Sequence, residues 1–183
     1  MTDDAVEREK RHWRELERER PAGILLPAAG QESVWDYPRP PAVQPVGTLL
    51  RVEFAGMVLA ETSRGLRVLE TSSPPVYYFP PADVRTWFLA PMHNTSLCEW
   101  KGVASYWTLS VRGRVAESAA WSYAAPNEPY GSLAGYLAFY AGRVDACYVG
   151  SESVVPQESD YYGGWVTSAM VGPFKGGPGT ERW

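Results

Sequence analysis

Glu70, Cys98 and Lys101 are the residues of this chain best equipped for chemistry. A carboxylate, a thiol and an ammonium in one neighbourhood offer a general base, a nucleophile and an electrostatic clamp. The run Cys98-Glu-Trp-Lys101 invites a reactive thiolate, since a nearby ammonium favours the ionised sulfur. Strand parity weighs against it. Residues three apart on an extended strand point to opposite faces, so Cys98 and Lys101 meet only if a turn lies between them. The other reading makes Cys98 a small buried hydrophobe. His93, on a nearby loop, is either a base or a solvated side chain, and no nucleophile triad is recognisable.

Glu70 with Lys101 is the favoured pair, acting as general base and clamp or simply as a buried ion pair. Around them Tyr78, Tyr106, Trp121 and Tyr123 supply rings that can line a ligand site. Asp83 either caps its own short helix or adds a second carboxylate to that site.

These residues need elements to position them. Leu66, Val68 and Glu70 share one face of a predicted strand, so Glu70 points to the side that the two apolar residues bury. An inward carboxylate must find a donor, neutralise or reach water. Pro81 to Leu89 reads as a short helix with Asp83 near its start and Val84, Trp87 and Phe88 packed inward. Val103–Val111 and Arg114–Tyr123 flank Arg112-Gly113 as a hairpin. A two-residue loop pairs Tyr106 with Ala119, Ala104 with Trp121 and Gly102 with Tyr123. One face then carries Tyr106, Glu117, Trp121 and Tyr123, and the other carries Val103, Trp107, Leu109 and Val111 as core.

Four segments are expected. Residues 1–20 form a charged helix that stops before Pro21, with Val6, Trp13 and Leu16 as its apolar stripe and a Glu7–Arg11 pair; it either lies on the domain through Trp13 or mediates a homo-oligomer. Residues 21–47 are a Pro-rich extended wrapper anchored by Trp35 and Tyr37. Residues 48–150 are the β domain, with regular strands beginning near Thr48. Residues 151–183 are a Gly- and aromatic-rich tail packed on it.

Composition narrows the function. The 183 residues are 45% apolar and 21% charged with net charge -4, which argues against a general nucleic-acid binder, since those usually carry a basic face. Sixteen Pro and 17 Gly favour short strands and turns over long helices. Two Cys and two His cannot build a Cys₄ or Cys₂His₂ zinc cage. Reduced thiols are preferred to a Cys98–Cys147 disulfide. No segment reaches the ~20 apolar residues of a membrane helix, and no export signal is visible, so a cytoplasmic protein is expected.

Taken together, Glu70, Pro75, Tyr78, Pro80, Asp83-Val84, Cys98, Lys101-Gly102, Ala104, Tyr106, Ala119, Trp121, Tyr123 and Phe139-Tyr140 resemble the domain of unknown function 427 family, a family sometimes given a nucleotidyltransferase-type name. The resemblance runs from about residue 31 onward. It implies a mainly β, compact antiparallel sheet domain similar to Mss4-like or β-tent folds, with an N-terminal helix and short helical turns. Several relatives of that wider group pin a zinc with paired Cys motifs, which this chain lacks, so no zinc site is expected and no cofactor is named. Other relatives hold a ligand among aromatic rings. Nucleotide transfer has no support in the residues, because neither a P-loop nor spaced acids for Mg²⁺ against triphosphate are present. Three functions stay open: a β-pocket for a small polar or cationic ligand, a small-metabolite enzyme using Glu70 with Lys101 or Cys98, and a protein interaction module.

Overall fold

The computed structural model describes residues 3–183. The chain is mainly β, with 42% of residues in strands against 14% helical. It opens with α1 (Asp3–Glu15). The helix ends five residues short of Arg20, so Pro21 is not its stop. Instead Arg18 turns back and donates to the Trp13 carbonyl at 3.0 Å, satisfying an acceptor that the helix end leaves open. Glu7 pairs with Lys10 at 2.8 Å rather than with Arg11. Trp13 reaches the β domain, whereas the Val6 side chain lies outside the described residues.

Strands begin earlier than Thr48. After the short β1 (Glu32–Ser33), β2 (Ala42–Val46) pairs with a single neighbour, and an edge position is where Pro45 is tolerated. Next come β3 (Leu50–Phe54), β4 (Met57–Thr62), β5 (Gly65–Leu69) and β6 (Val76–Phe79). Pro81 to Phe88 forms two 3-10 turns (Pro81–Asp83 and Thr86–Phe88) rather than one helix. Val84 is extended between them, bridging to Ala60, and Arg85 donates its N–H to the Leu59 carbonyl at 2.8 Å. With its backbone committed to β4 the segment cannot continue as a helix. Val84 is buried as expected, but Trp87 swings out to 73% exposure.

Three long strands follow: β7 (Leu89–Cys98), β8 (Gly102–Val111) and β9 (Arg114–Ser122). The β8–β9 hairpin turns at Arg112-Gly113, and Val111 pairs with Arg114. Beyond Leu109–Ala116 the register slips by two, so Tyr106 faces Trp121 and Trp107 faces Ala120. The extra residues sit around Ser118, whose positive φ of 49° marks the bulge. An even slip keeps side-chain parity, which is why the face assignment survives the wrong register. Two residues depart from it: Glu117 is carried out to solvent with the bulge, and Val103, assigned to the core, is 52% exposed.

The remaining strands are β10 (Leu137–Phe139), β11 (Ala146–Val149), β12 (Glu152–Ser153), β13 (Val155–Pro156), β14 (Trp165–Val166) and β15 (Met170–Val171). They complete a seven-stranded antiparallel sheet, β2-β5-β6-β10-β9-β8-β7, and a four-stranded one, β12-β11-β3-β4. Two small ribbons, β1-β15 and β13-β14, tie the N-terminal wrapper and the tail down.

Period-two alternation divides the interior. Tyr77, Phe79, Ala120, Leu137 and Phe139 face the four-stranded sheet and pack with Leu50, Val52, Phe54, Leu59 and Cys147. Their alternates Tyr78, Ala138 and Trp121 face the other way and form a second cluster with Val68, Tyr123, Tyr130, Leu133 and Tyr140. The first cluster is sealed by Trp165 from the tail, fully buried, whose indole N–H donates to the Phe139 carbonyl at 2.9 Å. The second cluster is incomplete. It borders a cavity.

Candidate functional site

The cavity measures about 340 Å³, at the low end of the ~300–1,000 Å³ usual for small-molecule sites. Seven of the eight residues predicted for a site line it: Glu70, Tyr78, Cys98, Lys101, Tyr106, Trp121 and Tyr123. The eighth does not. Asp83 is held outside the cavity lining by Arg64 (2.8 Å) and the Thr62 hydroxyl (2.7 Å), and no side chain caps its short helical turn. Those two partners bring its carboxyl down to about 2.

Each element contributes for a local reason. Glu70 follows β5 directly and keeps the inward parity of Val68. Cys98 ends β7 and Lys101 precedes β8, with Glu99, Trp100 and Lys101 reversing the chain. The reversal needs Gly102, whose φ of +95° is a conformation that side chains rarely adopt. It brings Lys101 beside Cys98, and the Lys101 main-chain N–H donates to the Cys98 sulfur at 3.4 Å. Both thiols are free; Cys147 is buried in the first core, where burial pushes its pKa far up. His93 projects to solvent on β7, away from the cavity.

Lys101 is 8% exposed. Burial works against its charge, but Cys98, Glu70 and Tyr78 outweigh that and hold its pKa above the ordinary value. It therefore stays an ammonium throughout the physiological range. Glu70 is near enough to act on it through space but does not pair with it. The Glu70 carboxylate instead bridges to Arg39 at 3.1 Å, and Arg39 also donates to the Thr71 carbonyl at 3.3 Å. The favoured Glu70–Lys101 ion pair is thus replaced by Glu70–Arg39, because the extended wrapper lays Arg39 across the end of β5. Among the described residues no carboxylate lies within ion-pair contact of Lys101.

The walls are rings. Trp121 and Tyr140 lie with centroids 4.5 Å apart, and the Trp121 indole N–H donates to the Tyr78 hydroxyl at 3.4 Å. Tyr106 shares a 2.7 Å hydrogen bond with Ser96. Burial pushes Tyr78 up to about 12, with Lys101 pulling it back, and holds Tyr123 well above its ordinary value. The phenols are therefore neutral and available as hydrogen-bond partners.

Residues remote in sequence complete the site. Trp13 and Arg18 come from the N-terminus; Gln157, Tyr161, Tyr162, Gly163 and Lys175 come from the tail. The Tyr140 hydroxyl donates to the Tyr161 carbonyl at 2.9 Å, and Gln157 links Gly164 to the Lys175 carbonyl. Gly163 passes so close to Trp121 that a Cβ there would overlap the ring. The pair Gly163-Gly164 beside two tyrosines was the one sequence signal for this closure, since paired glycines mark close backbone approach. Nothing local marked Arg18 or Lys175.

Among the described residues no cluster of three His, Cys, Asp or Glu is placed to hold a metal ion, and no helix is long and apolar enough to cross a membrane. The fold and the site thus define a mainly antiparallel β domain with a polar-ended, ring-lined cavity. The family profile described as Domain of unknown function (DUF427) matches residues 42–150, well over half of the chain, and the chain belongs to that family. The matched span runs from β2 to the end of β11, so Arg18, Arg39 and the tail lie outside it. A search of curated proteins gave no match.

Proposed function

We propose that this domain binds a small, flat, polar molecule in the cavity. The ring system of the guest lies against Trp121 and Tyr140, while Lys101 fixes an acceptor group and the tyrosine hydroxyls add hydrogen bonds. One observation carries this reading: Lys101 is a buried ammonium at the wall of an aromatic cavity, with no carboxylate in ion-pair contact among the described residues. Cys98, Glu70 and Tyr78 sustain that charge, and with no carboxylate bonded to it among the described residues the ammonium is free to donate to an acceptor group of a guest. A cationic guest fits less well, because Glu70 already serves Arg39. The resemblance to β-tent folds, some of which hold ligands among aromatic rings, points the same way.

A second reading, a small-metabolite enzyme with Glu70 as base and Lys101 or Cys98 as partner, draws on the turn that sets Cys98 beside Lys101. Equilibrium dialysis of the protein against a small-molecule extract, read by mass spectrometry, tests the binding function. Enrichment of a compound by the wild type and its loss with Lys101→Met or Trp121→Ala is expected. Identical profiles for wild type and both variants would sink it.

A further inference from the structure

The cavity lining holds three cations, Arg18, Lys101 and Lys175, against two carboxylates, Glu70 and Glu99. Both carboxylates are engaged by guanidinium groups: Glu70 by Arg39 at 3.1 Å and Glu99 by Arg18 at 3.7 Å. Arg18 is poorly satisfied even so. One terminal nitrogen donates to the Trp13 carbonyl, while the other, Nη1, is buried with no hydrogen-bond partner among the described residues, as is Nε of Arg39. Lys175 is 6% exposed and donates to main-chain oxygens of Glu181 (3.4 Å) and Trp183 (3.1 Å), with the Tyr162 ring 5.3 Å from its nitrogen.

We infer that Arg18 and Lys175 form a second polar anchor in this cavity that takes an anionic oxygen group of the guest, a carboxylate or a phosphate. The ligand class is then a small aromatic acid: flat body on Trp121, acceptor toward Lys101, acid group toward Arg18 and Lys175. The inference rests on the binding function proposed above and adds the charge of the guest. Guanidinium N–H groups suit such oxygens because they donate along fixed directions, and the low-dielectric surround strengthens each contact. The crowding of like charges is felt at Lys175. Burial, then Arg18 and Arg39, pull its ammonium down to about 8 against the opposing carboxylates Glu70 and Glu99. An incoming anion relieves that repulsion.

Calorimetric titration at pH 7 with phenyl phosphate, benzoate and the neutral isostere benzamide tests it, on full-length protein and on Arg18→Gln and Lys175→Gln variants shown by circular dichroism to be folded. Phenyl phosphate or benzoate is expected to bind at least tenfold more tightly than benzamide. Which of the two binds better identifies the acid group, and the advantage should fall about tenfold in either variant. Equal affinity for benzamide and both acids, or an acid advantage unchanged in Arg18→Gln and Lys175→Gln, overturns the anion anchor while leaving the cavity as a binding site. If none of the three probes binds, the anchor and the proposed guest class fall together.

Discussion

Lys101 lies beside Cys98 although an extended strand would put them on opposite faces, because Glu99 to Lys101 reverse the chain and the Lys101 N–H donates to the Cys98 sulfur at 3.4 Å. The turn joins the two most reactive side chains of the sequence inside one cavity. Native protein should therefore take up one equivalent of iodoacetamide, on Cys98, with Cys147 reacting only after unfolding. Two equivalents on native protein, by peptide mass mapping, would contradict the placement of Cys147.

Lys101→Met should cost little stability. Glu70 keeps Arg39, so no carboxylate is orphaned, and what is lost is the net support that Cys98, Glu70 and Tyr78 give the ammonium over its burial, on the order of 1 kcal/mol. Urea denaturation reads this directly. A loss above about 3 kcal/mol would mean that the ammonium is structurally paired after all.

Glu70→Gln should behave differently. It leaves the Arg39 guanidinium, whose side chain is 17% exposed, without its carboxylate, at a cost of about 1–3 kcal/mol. It also separates the two functional readings. A binding domain retains part of its affinity, whereas an enzyme using Glu70 as base keeps binding and loses turnover by several orders of magnitude.

Much of this site could be read from alternation. Val68 in β5 and Glu70 just past its end, and Tyr106 and Trp121 on a hairpin, face one side by parity, and parity outlasts a register error of two residues. What parity cannot reveal is long-range closure. Arg39 captures Glu70 from 31 positions away, and Arg18 and Lys175 converge from opposite ends of the chain. Such contacts arise from wrapping segments without a periodic pattern. Asp83 failed for a related reason: its place at the start of a helix suggested a cap, but the backbone of Val84 and Arg85 bonds to β4, and Arg64 takes the carboxylate.

Asp83 supplies a pH test. Its carboxyl is held at about 2 against an ordinary 3.8, so the folded state binds its proton less readily than the unfolded state does. The resulting stability is present in full above pH ~4 and fades as pH falls through about 2. Asp83→Asn should flatten the melting temperature over that window relative to wild type. Binding at pH 7 should be unaffected, since the residue lies outside the cavity.

Gly163→Ala should be disproportionately harmful for one methyl group. The added Cβ overlaps the Trp121 ring, so either the tail lifts or the indole leaves Tyr140, costing about 1–3 kcal/mol. Near-ultraviolet circular dichroism should change along with stability. An unaltered spectrum and an unchanged urea midpoint would show that the tail does not close on Trp121.

The most direct measurement is a crystallographic soak with a panel of small aromatic acids, amides and amines. Bound fragments should gather in one place, rings against Trp121 and Tyr140 and acceptor oxygens within hydrogen-bonding distance of the Lys101 ammonium. Fragments scattered over the surface, with none ordered in the cavity between Lys101 and Trp121, would contradict a ligand-binding role for this domain.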